Sequence, residues 1–263
     1  MRIGVFIKQV PAEGTVNTGR DHTLNRNGVA KIINPTDVTA LEEALRIKDQ
    51  TGAHITVCTM GPPSAESALR QTAAMGADHL CLISDRALAG SDTFITAKVL
   101  SKAVQHLGGF DLILCGRRSI DGETGQVGPE LAALLNVPCI ANCVHLQVKD
   151  QAVVCRRMLE SETQVWRVPL PALVTIHFGI NAPRLPSIMG LRRANGTAVE
   201  LLTAAALGIP PQECGLLGSP TRVSRVTTRP LGKRTAVRMI GPEGVAPTLA
   251  IIQEALQVTS NNV

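Results

Sequence analysis

The sequence predicts an α/β fold: an open parallel sheet with helices on both faces, an antiparallel extension and an extended C-terminal arm. Two observations carry this. Between residues 2 and 135, apolar β-rich runs alternate with stretches of helical spacing that start at capping residues and stop at glycine. Such repetition places parallel strands beneath crossover helices. After Pro138 the helical spacing gives way to consecutive short β-like runs with polar breaks, the pattern of antiparallel strands. The expected division is a domain of residues 1–195 and an arm of residues 196–263.

Taken in order, Arg2–Ile7 reads as the first strand. Asn34-Pro35-Thr36-Asp37 supplies an N-cap and a first-turn proline ahead of Val38, Leu41, Leu45 and Ile47 at helical spacing, and Gly52 ends that helix. His54–Met60 is a strand, followed by Gly61-Pro62-Pro63 and a helix over residues 64–75 with Gly76 as its stop. His79–Ile83 is a short strand. Ser91-Asp92 caps a helix over residues 93–107, with Ile95, Val99, Leu100 and Val104 on one side. Residues 111–115 read as a buried strand and 131–135 as part of the next helix. Four runs, 140–148, 152–158, 163–168 and 173–178, are expected as antiparallel strands. Residues 179–196 read as a loop with a short helix. From residue 197 Pro-Pro, Gly-Ser-Pro and Arg-Pro breaks interrupt any long element before an expected helix at 246–256. An arm of this kind builds no core of its own and is expected to pack on another chain.

Composition narrows the classes. At 263 residues the chain can bury a substantial core, and 44% hydrophobic with 18% charged residues excludes a disordered chain. No apolar run approaches the roughly 18 residues of a membrane span, so membrane insertion is not expected. The start, Met1 to Lys8, is too short and strand-like for a signal peptide, and the expected location is cytoplasmic. The seven cysteines show no paired spacing. Cys58, Cys81, Cys115 and Cys139 lie in or beside apolar runs, where free cysteine acts as a small hydrophobe. Cys139 and Cys143 have no second ligand pair, so no metal site is expected and a reducing compartment fits. Residues 1–180 carry equal numbers of acids and bases, so the whole excess of +5 falls in 181–263. Arg222, Arg225, Arg229, Lys233, Arg234 and Arg238 follow one another with no acid between Cys214 and Gly241. Such a stretch suits nucleic acid, a membrane surface, an acidic protein or plain solvent. With aromatic residues at 2% and none among these arginines, the stacking platforms that single-stranded nucleic acid needs are missing, and no nucleic-acid partner is expected.

The most informative stretch is Cys115-Gly116-Arg117-Arg118-Ser119-Ile120-Asp121-Gly122-Glu123-Thr124-Gly125-Gln126-Val127-Gly128-Pro129-Glu130. It leaves a strand and enters a helix. Backbone N–H groups at a helix start attract anions, and glycine lets backbone approach them closely. In open α/β sheets ligands sit beyond the carboxyl ends of the strands. The stretch therefore reads as a nucleotide-phosphate cradle, although a surface loop before a capped helix would have the same pattern. Neither Gly-x-Gly-x-x-Gly after the first strand nor Gly-x-x-x-x-Gly-Lys-Ser/Thr occurs.

Further runs carry a resemblance. Ile7-Lys8-Gln9-Val10-Pro11, Asn34-Pro35-Thr36-Asp37, Glu42-Glu43-Ala44-Leu45, Met60-Gly61-Pro62-Pro63, Ala74-Met75-Gly76-Ala77-Asp78, the uninterrupted 121–129 run, Leu170-Pro171-Ala172-Leu173-Val174-Thr175 and Asn181-Ala182-Pro183-Arg184 stand in one order. Together they resemble the small (beta) subunit of electron-transfer flavoprotein, over nearly the whole chain. The Gly215-Leu216-Leu217-Gly218-Ser219-Pro220-Thr221 segment resembles a subset of that family. The resemblance implies an adenine-nucleotide α-hydrolase-like fold, an alpha-subunit partner in a heterodimer, and electron transfer between dehydrogenases. It places nucleotide contacts on Phe6, Lys8, Asn34, Asp37 and Met60, and on Gly116, Arg117, Arg118, Ser119, Asp121, Gly122, Thr124, Gly125, Gln126, Val127 and Gly128. Asp92, Thr93 and Thr96 open a helix on the same edge and join them as candidates. Each also has a plain reading: Asn34 and Asp92 as caps, Met60 as core.

Leu185, Ile188, Met189 and Leu191 are apolar residues in a Pro- and Gly-bounded loop, suited to a partner's hydrophobic pocket or to covering the protein's own core; the resemblance implies that residues 181–193, Arg184 included, dock an acyl-CoA-dehydrogenase-like partner. The sequence departs from the usual pattern at Ala12 after Val10-Pro11, and at Leu185, where an aromatic residue is common after Pro183-Arg184. Some members of the family hold AMP in this subunit, and others hold a second FAD and bifurcate electrons from NADH. The uninterrupted 121–129 run and Gly218-Ser219-Pro220-Thr221 resemble the latter, so FAD is the expected cofactor and AMP the alternative. Two other classes compete. An ATP-consuming ligase or hydrolase of similar fold needs a Ser-Gly-Gly-type loop where Lys8-Gln9-Val10-Pro11 stands. A non-redox adenine-nucleotide module would be colourless, whereas a flavoprotein is yellow.

Overall fold

The structure, a computed structural model, describes residues 1–12, 17–18, 24–25, 30–224 and 245–260. The strands are β1 (Arg2–Ile7), β2 (Gln9–Pro11), β3 (Asn17–Thr18), β4 (Leu24–Asn25), β5 (Lys31–Ile33), β6 (His54–Met60), β7 (His79–Ile83), β8 (Leu112–Gly116), β9 (Cys139–Lys149), β10 (Ala152–Met158), β11 (Thr163–Pro169), β12 (Ala172–Ile176) and β13 (Val199–Leu202). The helices are α1 (Pro35–Thr51), α2 (Glu66–Met75), α3 (Thr93–His106), α4 (Val127–Leu135), α5 (Ile188–Gly196), α6 (Gly215–Gly218) and α7 (Val245–Ser260).

One nine-stranded sheet runs in the order β11-β10-β9-β12-β8-β1-β6-β7-β13, with β2–β5 and β3–β4 as separate antiparallel pairs. From β9 to β13 every neighbouring pair is parallel, and β9-β10-β11 is antiparallel. The strand period of two divides β1 between two cores. Ile3, Val5 and Ile7 pack with Leu41, Leu45 and Leu69 under α1 and α2. Phe6 packs with Ile95, Val99 and Leu131 under α3 and α4. Gly4 lies against the Phe110 ring, where any β-carbon would collide with it.

Three expectations are corrected. The run at 173–178 was expected to be antiparallel, yet β12 lies parallel between β9 and β8. It is buried at every position, and a strand covered on both faces reads as a continuous apolar run rather than an alternation. The boundary at 195/196 falls too early: β13 pairs with β7, and Leu202, Ala204, Leu207, Ile209 and Cys214 belong to the core under α3. The first compact unit spans Met1–Ser224 and the second Arg225–Val263. A four-residue strand among prolines and glycines carries too little periodicity to be seen in advance. Finally, Cys143 and Cys155 on neighbouring strands are joined by a disulfide, a pairing that sequence spacing did not show. In the second unit α7 is the described element, and Val245, Leu249, Ile251 and Ile252 along it are exposed. Of the basic run, Arg225, Arg229, Lys233, Arg234 and Arg238 lie outside the described residues.

Candidate functional site

The chain moves outward from β1 through β6 to β7, then crosses back to β8 on the other side of β1. Strand order reverses at β1/β8, and in open sheets that is where the ligand crevice lies. Lys8, Met60 and Gly116 stand at or just beyond the carboxyl ends of β1, β6 and β8.

The floor of the crevice is the first turn of α1. Asn34 precedes the helix, but its side chain makes no capping bond. It reaches across instead: its amide donates to Thr36 Oγ1 (2.8 Å) and to the Arg118 carbonyl (3.0 Å), and its Oδ1 accepts from the Ile120 N–H (3.1 Å). Thr36 Oγ1 donates to the same Arg118 carbonyl (2.7 Å). Asp37 accepts from the Lys8 N–H (2.7 Å) and the Gly116 N–H (3.1 Å), so one carboxylate ties the ends of β1 and β8. Burial pushes the Asp37 carboxyl up to about 7, against the pull of hydrogen bonds from Asn34, Lys8 and Gly116 and the charge of Lys8. Gly116 is required here, because a β-carbon would collide with Asp37 and Thr36.

The loop above this floor is held at several points. Arg117 N–H donates to the Ile176 carbonyl (2.9 Å), and Glu123 N–H donates to the Ser119 carbonyl (2.8 Å). Lys8 Nζ reaches Asp121 Oδ1 at 2.8 Å. Gly125 takes a φ of +64°, a left-handed conformation that glycine adopts without strain. Gly122, Thr124 and Gln126 are exposed, as are the side chains of Arg117 and Arg118. Gln126 gives α4 no side-chain cap, so its first-turn N–H groups are free of that competitor. Gly128 lies where a β-carbon would press on Thr175 and Cys115, and Val127 packs on the α3-side core. Burial first, and then the charge of Asp37, push the Cys115 thiol well up, so it stays protonated beside the cradle and is no nucleophile.

The start of α3 closes the same edge. Thr93 Oγ1 lies 3.3 Å from Gln126 Oε1 and 3.1 Å from Glu130 Oε1, which sets the first turns of α3 and α4 side by side. Asp92 accepts from the Ile95 N–H (3.0 Å) as a true N-cap, and also from the Thr221 N–H (3.0 Å) and hydroxyl (2.8 Å). Its own N–H donates to Ser219 Oγ (2.9 Å). Burial raises the Asp92 carboxyl, but the bonds it accepts from Ile95 and Thr221 outweigh this and hold it below its usual range. Thr96 is half-buried one turn on, Met60 is half-buried, and Phe6 is buried in the α3-side core. The structure thus gathers the nucleotide-contact candidates at one sheet edge, with Phe6, Asn34, Asp37 and Gly128 buried beneath its surface. Sequence reasoning missed Thr36, Ile120 and the grip of Ser219 and Thr221 on Asp92. The Gly-Ser-Pro-Thr run was visible, but nothing in it names Asp92.

The second candidate surface is the 181–196 segment. Leu185 is 89% exposed, and Ile188, Met189 and Leu191 are also exposed. Arg184 is not presented with them: its guanidinium lies against α1, on Glu42 (3.0 Å) and Asp49 (2.7 Å). A separate hollow of about 290 Å3 between α1 and β9, lined in part by Arg46, Gln50, His145 and Gln147, includes no cradle residue.

Comparison with known proteins shows the family. Residues 21–207 match the electron transfer flavoprotein domain. The chain is 44% identical over 230 residues to the electron transfer flavoprotein subunit beta of Thermoanaerobacterium thermosaccharolyticum, covering 87% of this chain and 88% of that one. It is 42% identical over 238 residues to the acryloyl-CoA reductase electron transfer subunit gamma of Anaerotignum propionicum, covering 88% and 89%. It is 39% identical over 232 residues to the caffeyl-CoA reductase-Etf complex subunit CarD of Acetobacterium woodii, covering 88% of each.

Proposed function

The chain belongs to the electron transfer flavoprotein family, and we propose that it acts as the beta subunit of a heterodimer that holds FAD at the β1/β8 crevice and passes electrons between dehydrogenases. The observation that supports this reading is the convergence at one sheet edge of the 116–128 loop, exposed Arg117 and Arg118, and the first turns of α3 and α4. The donor set fits a nucleotide: helix starts and guanidinium groups favour phosphate, and the loop backbone is fixed from below by Asn34, Thr36 and Asp37. A bound flavin supplies the redox chemistry, so the protein contributes position and electrostatics. Lys8 neutralises Asp121, which keeps an unpaired carboxylate away from the phosphates. No acid–base pair is required for such work.

FAD is favoured over AMP because the 121–129 run is uninterrupted and leaves the mouth of the cradle open. Two of the relatives are named as parts of acryloyl-CoA and caffeyl-CoA reductase systems, and bifurcation from NADH is the corresponding finer reading. The partners we infer are a larger alpha subunit and an acyl-CoA-dehydrogenase-like flavoprotein met by residues 181–193, in the cytoplasm. Among the described residues no helix is long and apolar enough to cross a membrane. The test is to release and count the nucleotides of the purified heterodimer. Two FAD and no AMP per complex supports the reading; one of each overturns the assignment of FAD to this crevice.

A further inference from the structure

The docking segment stands on two helices through contacts that the proposed function does not use. At its root, Asn181 Nδ2 donates to the Thr39 carbonyl (2.9 Å) and to Glu43 Oε1 (2.8 Å). Arg184 follows with four bonds to α1: its N–H and Nε to Glu42 Oε2 (3.0 Å each), and Nη2 to Glu42 Oε1 (3.2 Å) and Asp49 Oδ2 (2.7 Å). Glu42 is only 4% exposed, and a carboxylate that deep needs a partner. At the far end α5 sits on α2. Gly190 lies against the Ala74 carbonyl so closely that no β-carbon fits. Arg193 Nη2 donates to the Ala73 carbonyl (3.2 Å), and Arg70 Nη1 donates to the Ala194 carbonyl (2.9 Å). Ser187 caps α5 by accepting from the Gly190 N–H (2.9 Å). Between these anchors the apolar side chains Leu185, Ile188, Met189 and Leu191 face solvent.

Exposed apolar residues on a free loop would collapse or wander, and binding would have to order them at a cost. Here every anchor is polar or backbone and none is one of the exposed apolar side chains. We propose that the Arg184–Glu42–Asp49 cluster and the Gly190–Ala74 contact are positioning devices, which hold residues 184–191 in a partner-ready shape on α1 and α2. This rests on the reading of 181–193 as a dehydrogenase-docking segment. The role of Arg184 thereby changes from a partner contact to an internal strut, and helix α1 carries both surfaces: its first turn is the cradle floor, and its later turns hold the strut.

The experiment uses the purified heterodimer and an acyl-CoA dehydrogenase from the same organism, reduced with its acyl-CoA substrate. The variants are Arg184→Met with Glu42→Gln, which removes the strut without stranding a buried charge, Gly190→Ala, and Leu185→Ala. Two readouts are amide exchange across 184–191 and the split of electron transfer into KM and kcat for the dehydrogenase. The strut pair and Gly190→Ala are expected to speed exchange and raise KM about tenfold through lost pre-organisation, with kcat at saturation and flavin content unchanged. Leu185→Ala is expected to raise KM while exchange stays slow. Unaltered exchange, or faster exchange with unaltered KM, in variants whose parent responds to Leu185→Ala would overturn the strut and leave the docking reading standing. An unaltered KM in Leu185→Ala would overturn the docking reading, and the strut with it.

Discussion

The cradle and the docking segment hang from the same helix and are built in opposite senses. At the first turn of α1, polar groups are buried: Asn34 is 0% exposed, and its partners are the backbone of the 116–120 loop. Two turns on, α1 offers Glu42 to Arg184, and two turns further Asp49, and apolar side chains beyond Arg184 are left in solvent. On the proposed function, the contrast follows from what each surface would hold. A phosphate needs fixed backbone donors, and only satisfied buried polar groups fix a backbone without competing for the ligand. A protein partner needs apolar area that becomes buried on contact, and a charged strut placed beneath it leaves that area free. One helix can serve both because Glu42 and Asp49, seven residues apart, share a face, while Asp37, five residues before Glu42, points elsewhere.

Breaking the cradle floor should have the largest effect. Asp37→Ala strands the Lys8 and Gly116 N–H groups and is expected to cost about 2–5 kcal/mol with loss of bound nucleotide, read by denaturant titration and nucleotide content. The buried carboxyl also gives a pH signature. Its folded value, about 7, lies above the ordinary carboxylate value, so the native state holds this proton longer than the unfolded chain. Its contribution is therefore fully present below about pH 4 and lost as pH rises to about 7. Asp37→Asn should flatten that fall; an unchanged slope would show that another group titrates. Gly116→Ala comes next, at about 1–3 kcal/mol for a collision with Asp37 and Thr36 that backbone must absorb.

The docking segment should respond in kinetics and hardly in stability. Ile188→Ala with Leu191→Ala is expected to slow interprotein electron transfer about tenfold, a loss of about 1.4 kcal/mol in coupling to the partner. Melting temperature and flavin content should stay fixed, because these side chains are exposed; a lowered melting temperature would assign them to the protein's own core. The smallest effect is at the α3 start, where Asp92→Ala is expected to cost about 1 kcal/mol as a lost cap. Asp92 is held below its usual carboxyl range, so its contribution is present at neutral pH and lost as pH falls through the folded value. An Asp92→Ala variant should therefore converge with the parent in acid.

Much of this contrast was legible in the residues. Asn34-Pro35-Thr36-Asp37 announced a helix start, and the glycines and arginines of 116–128 announced a cradle, because capping and close backbone approach restrict which residue types serve. Leu185, Ile188, Met189 and Leu191 stood out as apolar residues in a loop. What could not be read was which partner each polar side chain would choose. Asn34 looked like a cap and became a bridge to Arg118 and Ile120. Arg184 looked like a docking contact and became a strut on α1.

Local sequence by itself determined the longer elements of the main sheet, since 3.6-residue and two-residue periods, caps and glycine stops act within a few residues. It also determined which loop is rich in anion-binding types. Tertiary structure alone decided the parallel insertion of β12 between β9 and β8, the addition of β13 to the sheet edge, and the Cys143–Cys155 pairing. The two strand placements depend on strand order across long separations, and pairing between strands leaves no local trace when both faces are buried or the strand is four residues long; the cysteine pairing depends on how β9 folds back on β10. The same holds for Asp37, whose carboxyl is raised only because β1, α1 and β8 close over it.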